Sequence, residues 1–193
     1  TGERYNHTTR TYWKVTEDGS VTRGCELVSP PLPFDSRGLA EVANAFAAIN
    51  ANNGSADESC GFHVHVDATF VREYTAAKRD AYFAFLLGAF QAVEGSFDLM
   101  VKDRRVEGYG ARWCKSTKGK NVTVVRADRY HKLNLAAFYD HGTVEFRQMH
   151  GTVNGKAAIA WITLCVRFME NVKARFEASY GAPVPATSTA CAA

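Results

Sequence analysis

The 193-residue sequence predicts an α+β domain in which an antiparallel or mixed sheet is covered by helices on one face. Three observations carry this. Two segments, "CGFHVHVDA" (60–68) and "TVEFRQMH" (143–150), alternate apolar and polar residues with the period of two that a half-buried strand shows. Three others, within 39–49, 77–97 and 159–176, repeat apolar residues at helical spacing. Their order along the chain is strands, helix, strand, helix, loop, strands, helix.

Each element has its own warrant. "TYWKVT" (11–16) is a strand entering a turn at Asp18-Gly19, and 21–28 returns as a second strand. That strand stops at "SPPLP", where three prolines forbid both helix and ladder. Apolar residues at 39, 42, 43, 46 and 49 then form a helical stripe, with Asp35 and Ser36 as capping candidates and "NANNGS" as the stop. After the His-rich strand, 77–97 carries Tyr82, Leu86, Ala89, Val93 and Phe97 on one side, a long helix that core packing alone explains. Residues 102–129 are basic and glycine-punctuated, a long loop with a short element inside. "YHKLNL" (130–135) and "GTVEFRQMH" (142–150) are strands, and Ile159, Ile162, Val166, Met169, Val172 and Phe176 mark a final helix. Residues 1–180 thus read as one domain and 181–193, "GAPVPATSTACAA", as a flexible tail.

Composition narrows the class. Hydrophobic residues at 46% and charged residues at 22% suit a globular core, no apolar run reaches membrane-spanning length, and no charged-then-apolar leader opens the chain. A soluble cytoplasmic protein is the expectation. The five cysteines are an odd number without C-x-x-C spacing, which indicates reduced thiols rather than a disulfide framework or a four-cysteine zinc site. A net charge of +3 is too small to argue for nucleic acid, yet residues 102–132 hold ten Lys or Arg against three acids. Such a segment suits polyphosphate, nucleic acid or plain solvent. No aromatic-basic motif accompanies it, so nucleic acid is not the expected partner.

The chemistry-bearing residues lie on the two alternating strands. In 60–68, Phe62, Val64 and Val66 face one way and His63, His65 and Asp67 the other. In 143–150, Val144 and Phe146 read as buried and Glu145 and Arg147 as exposed. Gln148 and Met149 then reverse the polarity, as if the strand ended or left the sheet. If the two strands are neighbours with the same side outward, two imidazoles, a carboxylate and a guanidinium converge. A solvated strand face, or a plain Glu–Arg pair, would explain either motif alone; the two together favour a site, since Arg presents a planar fork suited to carboxylate or phosphate.

"ELVSPPL" (26–32), "SCGFHVHVDA" (59–68), "DRRVEGYGARW" (103–113), "YHKLNL" and "GTVEFRQMHGTVN" (142–154) together resemble the successive motifs of the amidoligase family, within the carboxylate–amine ligase superfamily of glutamine synthetase and glutamate–cysteine ligase. The resemblance spans about residues 11–170, and the ordered set is more specific than any one motif. It implies a glutamine synthetase-like catalytic core, with an antiparallel sheet forming an open, funnel-like site where divalent metal stands between ATP and an amino-acid substrate. His63 resembles the metal-binding first histidine of the G-x-H-x-H strand, and His65 the second, near the nucleotide phosphates. Glu145 resembles the metal-binding glutamate of the "EFR" strand, and Arg147 its arginine, facing the transferred phosphoryl group or the substrate carboxylate. Glu26 resembles a further metal-side carboxylate. Arg104 or Arg105 would be the phosphate-binding arginine of the basic loop, and Arg105 a catalytic one beside Arg147.

The resemblance thus implies an ATP-dependent ligase that joins a small-molecule or peptide carboxylate to an amine through an acyl phosphate, using Mg²⁺ or Mn²⁺. Relatives open with a strand carrying a Glu-x-Glu pair, which these residues do not show; Glu3 in "TGER" lacks the partner, so incomplete activity of this chain alone is also expected. Three other classes compete. A metal-dependent hydrolase could use His63, His65 and Glu145, but a barrel with an early H-x-H needs about 250 residues. A cupin needs an acid where residues 69 and 70 are Thr and Phe. A non-catalytic nucleotide- or peptide-binding module could keep the same pocket without turnover.

Overall fold

The computed structural model describes residues 2–4, 6, 8–17, 24–101 and 108–180. Its strands fall into two small sheets rather than one. β1 (Gly2–Glu3), β2 (Lys14–Glu17) and β3 (Cys25–Val28) form the first, with β1 parallel to β2 and β2 antiparallel to β3. β4 (Gly61–Asp67), β5 (Leu133–Asn134) and β6 (Thr143–His150) form the second, antiparallel throughout in the order β4-β6-β5. The first predicted strand, 11–16, is realised from Lys14 to Glu17, and within the described part of the second, 21–28, the strand runs over Cys25–Val28. The Asp18-Gly19 turn, residues 21–23, residues 102–107 at the start of the basic segment and the 181–193 tail lie outside the described residues.

Helices follow their predicted stripes with extended ends. α1 (Ser36–Ala51) starts where the Asp35 carboxylate accepts the backbone N–H groups of Arg37 and Gly38, satisfying two otherwise orphan donors. α2 (Ala76–Asp98) is capped by Thr75 and α5 (Gly155–Ser179) by Asn154. Two short helices interrupt the long loop and the strand pair: α3 (Val122–Ala127) and α4 (Ala137–His141).

The core lies between the second sheet and the helix pair α2 and α5. Val64 of β4, Leu133 of β5 and Val144 and Phe146 of β6 pack against Phe83, Leu86 and Phe90 of α2 and Trp161, Cys165 and Met169 of α5. Phe146 is fully buried, its ring 6.1 Å from Phe90 and 5.9 Å from Phe168. Burial of one such ring is worth about 2–3 kcal/mol, so apolar packing beneath β6 fixes the strand whose other face carries Glu145. α1 joins through a second cluster in which Val42 and Phe46 meet Ala158.

Among the described residues, no helix is long and apolar enough to cross a membrane. The cysteines there are free thiols: Cys114 and Cys165 are buried, Cys60 is half-buried and Cys25 is exposed. Burial pushes the Cys165 thiol well above its ordinary range, making it an inert core group.

Candidate functional site

β6 is the central strand of the second sheet, and Glu145 is its central polar residue. In the register, His65 stands directly opposite Glu145 on one side and Asn134 on the other. This register is set at one end by Gly142, whose φ of +72° closes α4 in the left-handed region and whose carbonyl accepts the Ala68 amide at 2.9 Å. A Cβ at Gly142 would lie 2.9 Å from Arg72 Nη2 and from Thr69 Cγ2, side-chain atoms that would have to move aside, so the positive φ is the main reason for glycine here.

Around Glu145 the predicted groups meet. His63 Nδ1 lies 3.2 Å from Glu145 Oε1, and His65 Nε2 lies 3.6 Å from the same oxygen. Arg147 Nη1 donates to Oε1 at 2.6 Å, and Asn134 Nδ2 donates to Oε2 at 2.6 Å. Burial alone would push the Glu145 carboxyl up. Hydrogen bonding and charge from His63 and His65 outweigh it and hold the group well below the usual carboxylate range. Glu145 is therefore an anion at any ordinary pH. The imidazoles form the open side: His65 is the most exposed of the four, its Nδ1 paired with Thr143 Oγ1 at 2.9 Å and its ring edge-on to His141.

Two expectations are corrected here. Glu145 and Arg147 are not exposed strand residues; they are 4% and 5% accessible. Arg147 is enclosed because its Nε donates to the Trp113 carbonyl at 3.1 Å, its amide donates to the Lys132 carbonyl and its guanidinium lies 5.8 Å from the Tyr130 ring. Nor does the strand end at Gln148. Phe62 pairs with Met149 while Val64 pairs with Phe146, so one residue of β4, His63, faces two of β6, Arg147 and Gln148. That β-bulge shifts the alternation by one residue and returns Met149 to the core, which is why the sequence pattern reverses there.

Other predicted residues sit elsewhere. Asp67 does not join the cluster; its carboxylate accepts the Thr69 amide and hydroxyl at the entrance to a 3₁₀ turn over Thr69–Glu73. Glu26 is exposed on β3 of the first sheet and is not among the groups bonded to Glu145. Arg104 and Arg105 lie outside the described residues.

Two imidazoles and a carboxylate are donor types that Mn²⁺ or Zn²⁺ accept. Their arrangement does not fit a resident ion: Oε1, the oxygen a cation would need, is bonded to Arg147, and Oε2 to Asn134. Among the described residues, no group of three or more His, Cys, Asp or Glu is placed to hold a metal, so the set His63, Glu145 and Glu26 is not assembled. Asn134 was missed in the sequence, although "KLNL" places it between two apolar residues, on the side of β5 away from the core.

The site is thus a buried carboxylate ringed by a guanidinium, an amide and two imidazoles, on an antiparallel sheet backed by helices. Residues 3–86 and 95–169 match the family described as "putative amidoligase enzyme", and the chain belongs to that family. No curated protein and no solved structure matches it.

Proposed function

We propose that the chain is an ATP-dependent carboxylate–amine ligase that forms amide bonds through an acyl phosphate, on an amino acid, a peptide or a related metabolite. The observation that carries this, beside family membership, is the convergence of His63, His65 and Arg147 on Glu145. A carboxylate is a poor electrophile. Activation requires its oxygen to attack the γ-phosphorus of ATP with loss of ADP; the amine nitrogen then attacks the acyl carbon, phosphate leaves and the ammonium proton passes to solvent. The first step brings two anions together and the second expels an anionic phosphate, so fixed positive groups at the reacting phosphoryl supply most of the acceleration.

In this reading Arg147 faces the transferred phosphoryl, with Glu145 and Asn134 fixing its approach, and His65 presents its imidazole to the nucleotide phosphates. Arg104 and Arg105 belong to the phosphate-binding side. Mg²⁺ or Mn²⁺ would be supplied with the nucleotide and would neutralise phosphate charge, and His63 would be the imidazole facing it. The fold is read as a glutamine synthetase-like core with the imidazole face of the second sheet as the funnel floor. Dependence on ATP suits a cytoplasmic setting.

The test is ADP release over a panel of amino acids, peptides and amines, with His63→Ala alongside. Turnover that requires both a carboxylate and an amine, and falls in His63→Ala, supports the ligase. Nucleotide or peptide binding without turnover across the panel assigns the chain to a non-catalytic binding module. Zinc-dependent hydrolysis without nucleotide binding assigns it to a metal-dependent hydrolase.

A further inference from the structure

Glu94 is a buried carboxylate that the proposed chemistry does not use. It sits about one turn before the C-terminal end of α2, 1% accessible, within the interval 87–94 that separates the two family-matched segments. Its Oε1 accepts from Ser116 Oγ and, at 3.2 Å, from Lys132 Nζ; its Oε2 accepts from the Thr117 amide at 2.9 Å and from Thr117 Oγ1. Lys132 Nζ also donates to both Asp98 oxygens at 2.8 Å. Taking these charges out of water is costly, and an apolar side chain would fill the place at less cost, so stability alone is a weak reason for the network.

What it does is tie two backbone segments together. Residues 115–117 run beside 130–132: the Lys115 amide donates to the Tyr130 carbonyl and the Lys132 amide to the Lys115 carbonyl. Glu94 grips the first segment at Ser116 and Thr117 and the second at Lys132. The second stretch supplies two of the fixed points around Arg147, the Lys132 carbonyl at the backbone amide and the Tyr130 ring, and Trp113, two residues before Lys115 on the chain that leads into the first stretch, supplies the third, its carbonyl at Nε. Arg147 needs such support because it sits in the bulge, where the ladder alone does not fix its direction.

We propose that Glu94 is a positioning residue: through Ser116, Thr117 and Lys132 it holds the frame that aims the Arg147 guanidinium at the site. The use made of that guanidinium rests on the ligase reading; its placement does not, and the test needs no ligand. In ¹⁵N-labelled full chain, the Arg147 Nε–Hε signal is assigned by its loss in Arg147→Lys, and its exchange with water is measured. Glu94→Gln and Thr117→Val are each expected to speed that exchange by about tenfold or more, whereas Val172→Ala, a core control that loosens the fold from α5, leaves it unchanged. Unaltered exchange in both folded variants, or an equal acceleration in Val172→Ala, overturns the proposal. If Glu94→Gln does not fold, Thr117→Val decides alone, since it keeps the carboxylate and its Lys132 contact. Absence of ADP release would end the ligase reading and leave this result standing.

Discussion

Arg147 and Glu145 project from the same strand two residues apart and meet at 2.6 Å, Nη1 to Oε1, with both side chains almost wholly buried. The pair is balanced by geometry. Arg147 Nε is given the Trp113 carbonyl and Nη1 the Glu145 carboxylate, and Asn134 closes the remaining carboxylate oxygen. Removing one member leaves the other charged and enclosed, which typically costs about 3–5 kcal/mol. Arg147→Met should therefore lower the free energy of denaturant unfolding by about 3 kcal/mol, and the double variant Arg147→Met with Glu145→Gln should recover part of it. Additive losses in the double-mutant cycle would show that the two do not act as a pair.

The closed state of Glu145 makes a prediction about cations. With Oε1 bonded to Arg147 and no three-ligand group among the described residues, the free chain should hold Mn²⁺ only weakly. Addition of a non-hydrolysable ATP analogue should tighten apparent Mn²⁺ binding by about tenfold or more, equivalent to about 1.4 kcal/mol, because the ion then arrives on the phosphates. Electron paramagnetic resonance of Mn²⁺, which distinguishes free from bound ion, measures both conditions. Tight stoichiometric Mn²⁺ without nucleotide would contradict this and restore a resident metal held by His63 and Glu145.

The bulge opposite His63 separates side chains that strict alternation would group. Met149 shares parity with Glu145 and Arg147, yet it is 4% accessible in the apolar core. Met149→Ala should destabilise the chain by about 2–5 kcal/mol through lost packing while leaving nucleotide affinity in the folded protein unchanged. A loss of affinity at full stability would place Met149 in the site instead.

That bulge marks a boundary of what the sequence discloses. His63, His65, Glu145 and Arg147 were legible because a period of two assigns faces without knowledge of partners, and two strands with matching polar sides invite pairing. The extra residue at Gln148 was visible only as a disturbed pattern, since the unpaired position depends on where the facing strand lies. α4 left no trace because five residues contain too little helical period to read. Division of the strands into two sheets was likewise hidden, because no local pattern records which distant strand accepts a given hydrogen bond. Glu94 did leave a signal. It stands four residues after Phe90 and three before Phe97, on a buried stripe of α2, where a carboxylate needs a buried partner.

Glu94 also yields a prediction about acid. Burial pushes its carboxyl up, but hydrogen bonds from Ser116 and Thr117 and the charge of Lys132 outweigh it, leaving the group below the ordinary glutamate value of 4.5. The folded carboxyl is then a weaker proton acceptor than the unfolded one. As pH falls, the unfolded chain binds the proton first, and stability falls with it. The contribution of Glu94 is therefore complete above about pH 4.5 and is lost progressively as pH drops from there through the folded pKa. Glu94→Gln has no such proton to take up. At neutral pH it should cost about 3 kcal/mol, the low end for a broken buried pair because Asp98 still holds Lys132. Urea unfolding from about pH 6 to about pH 3 should show the wild type losing more stability than Glu94→Gln, so that the two curves converge toward acid. Parallel curves over that range would mean that Glu94 is not held ionised by this network.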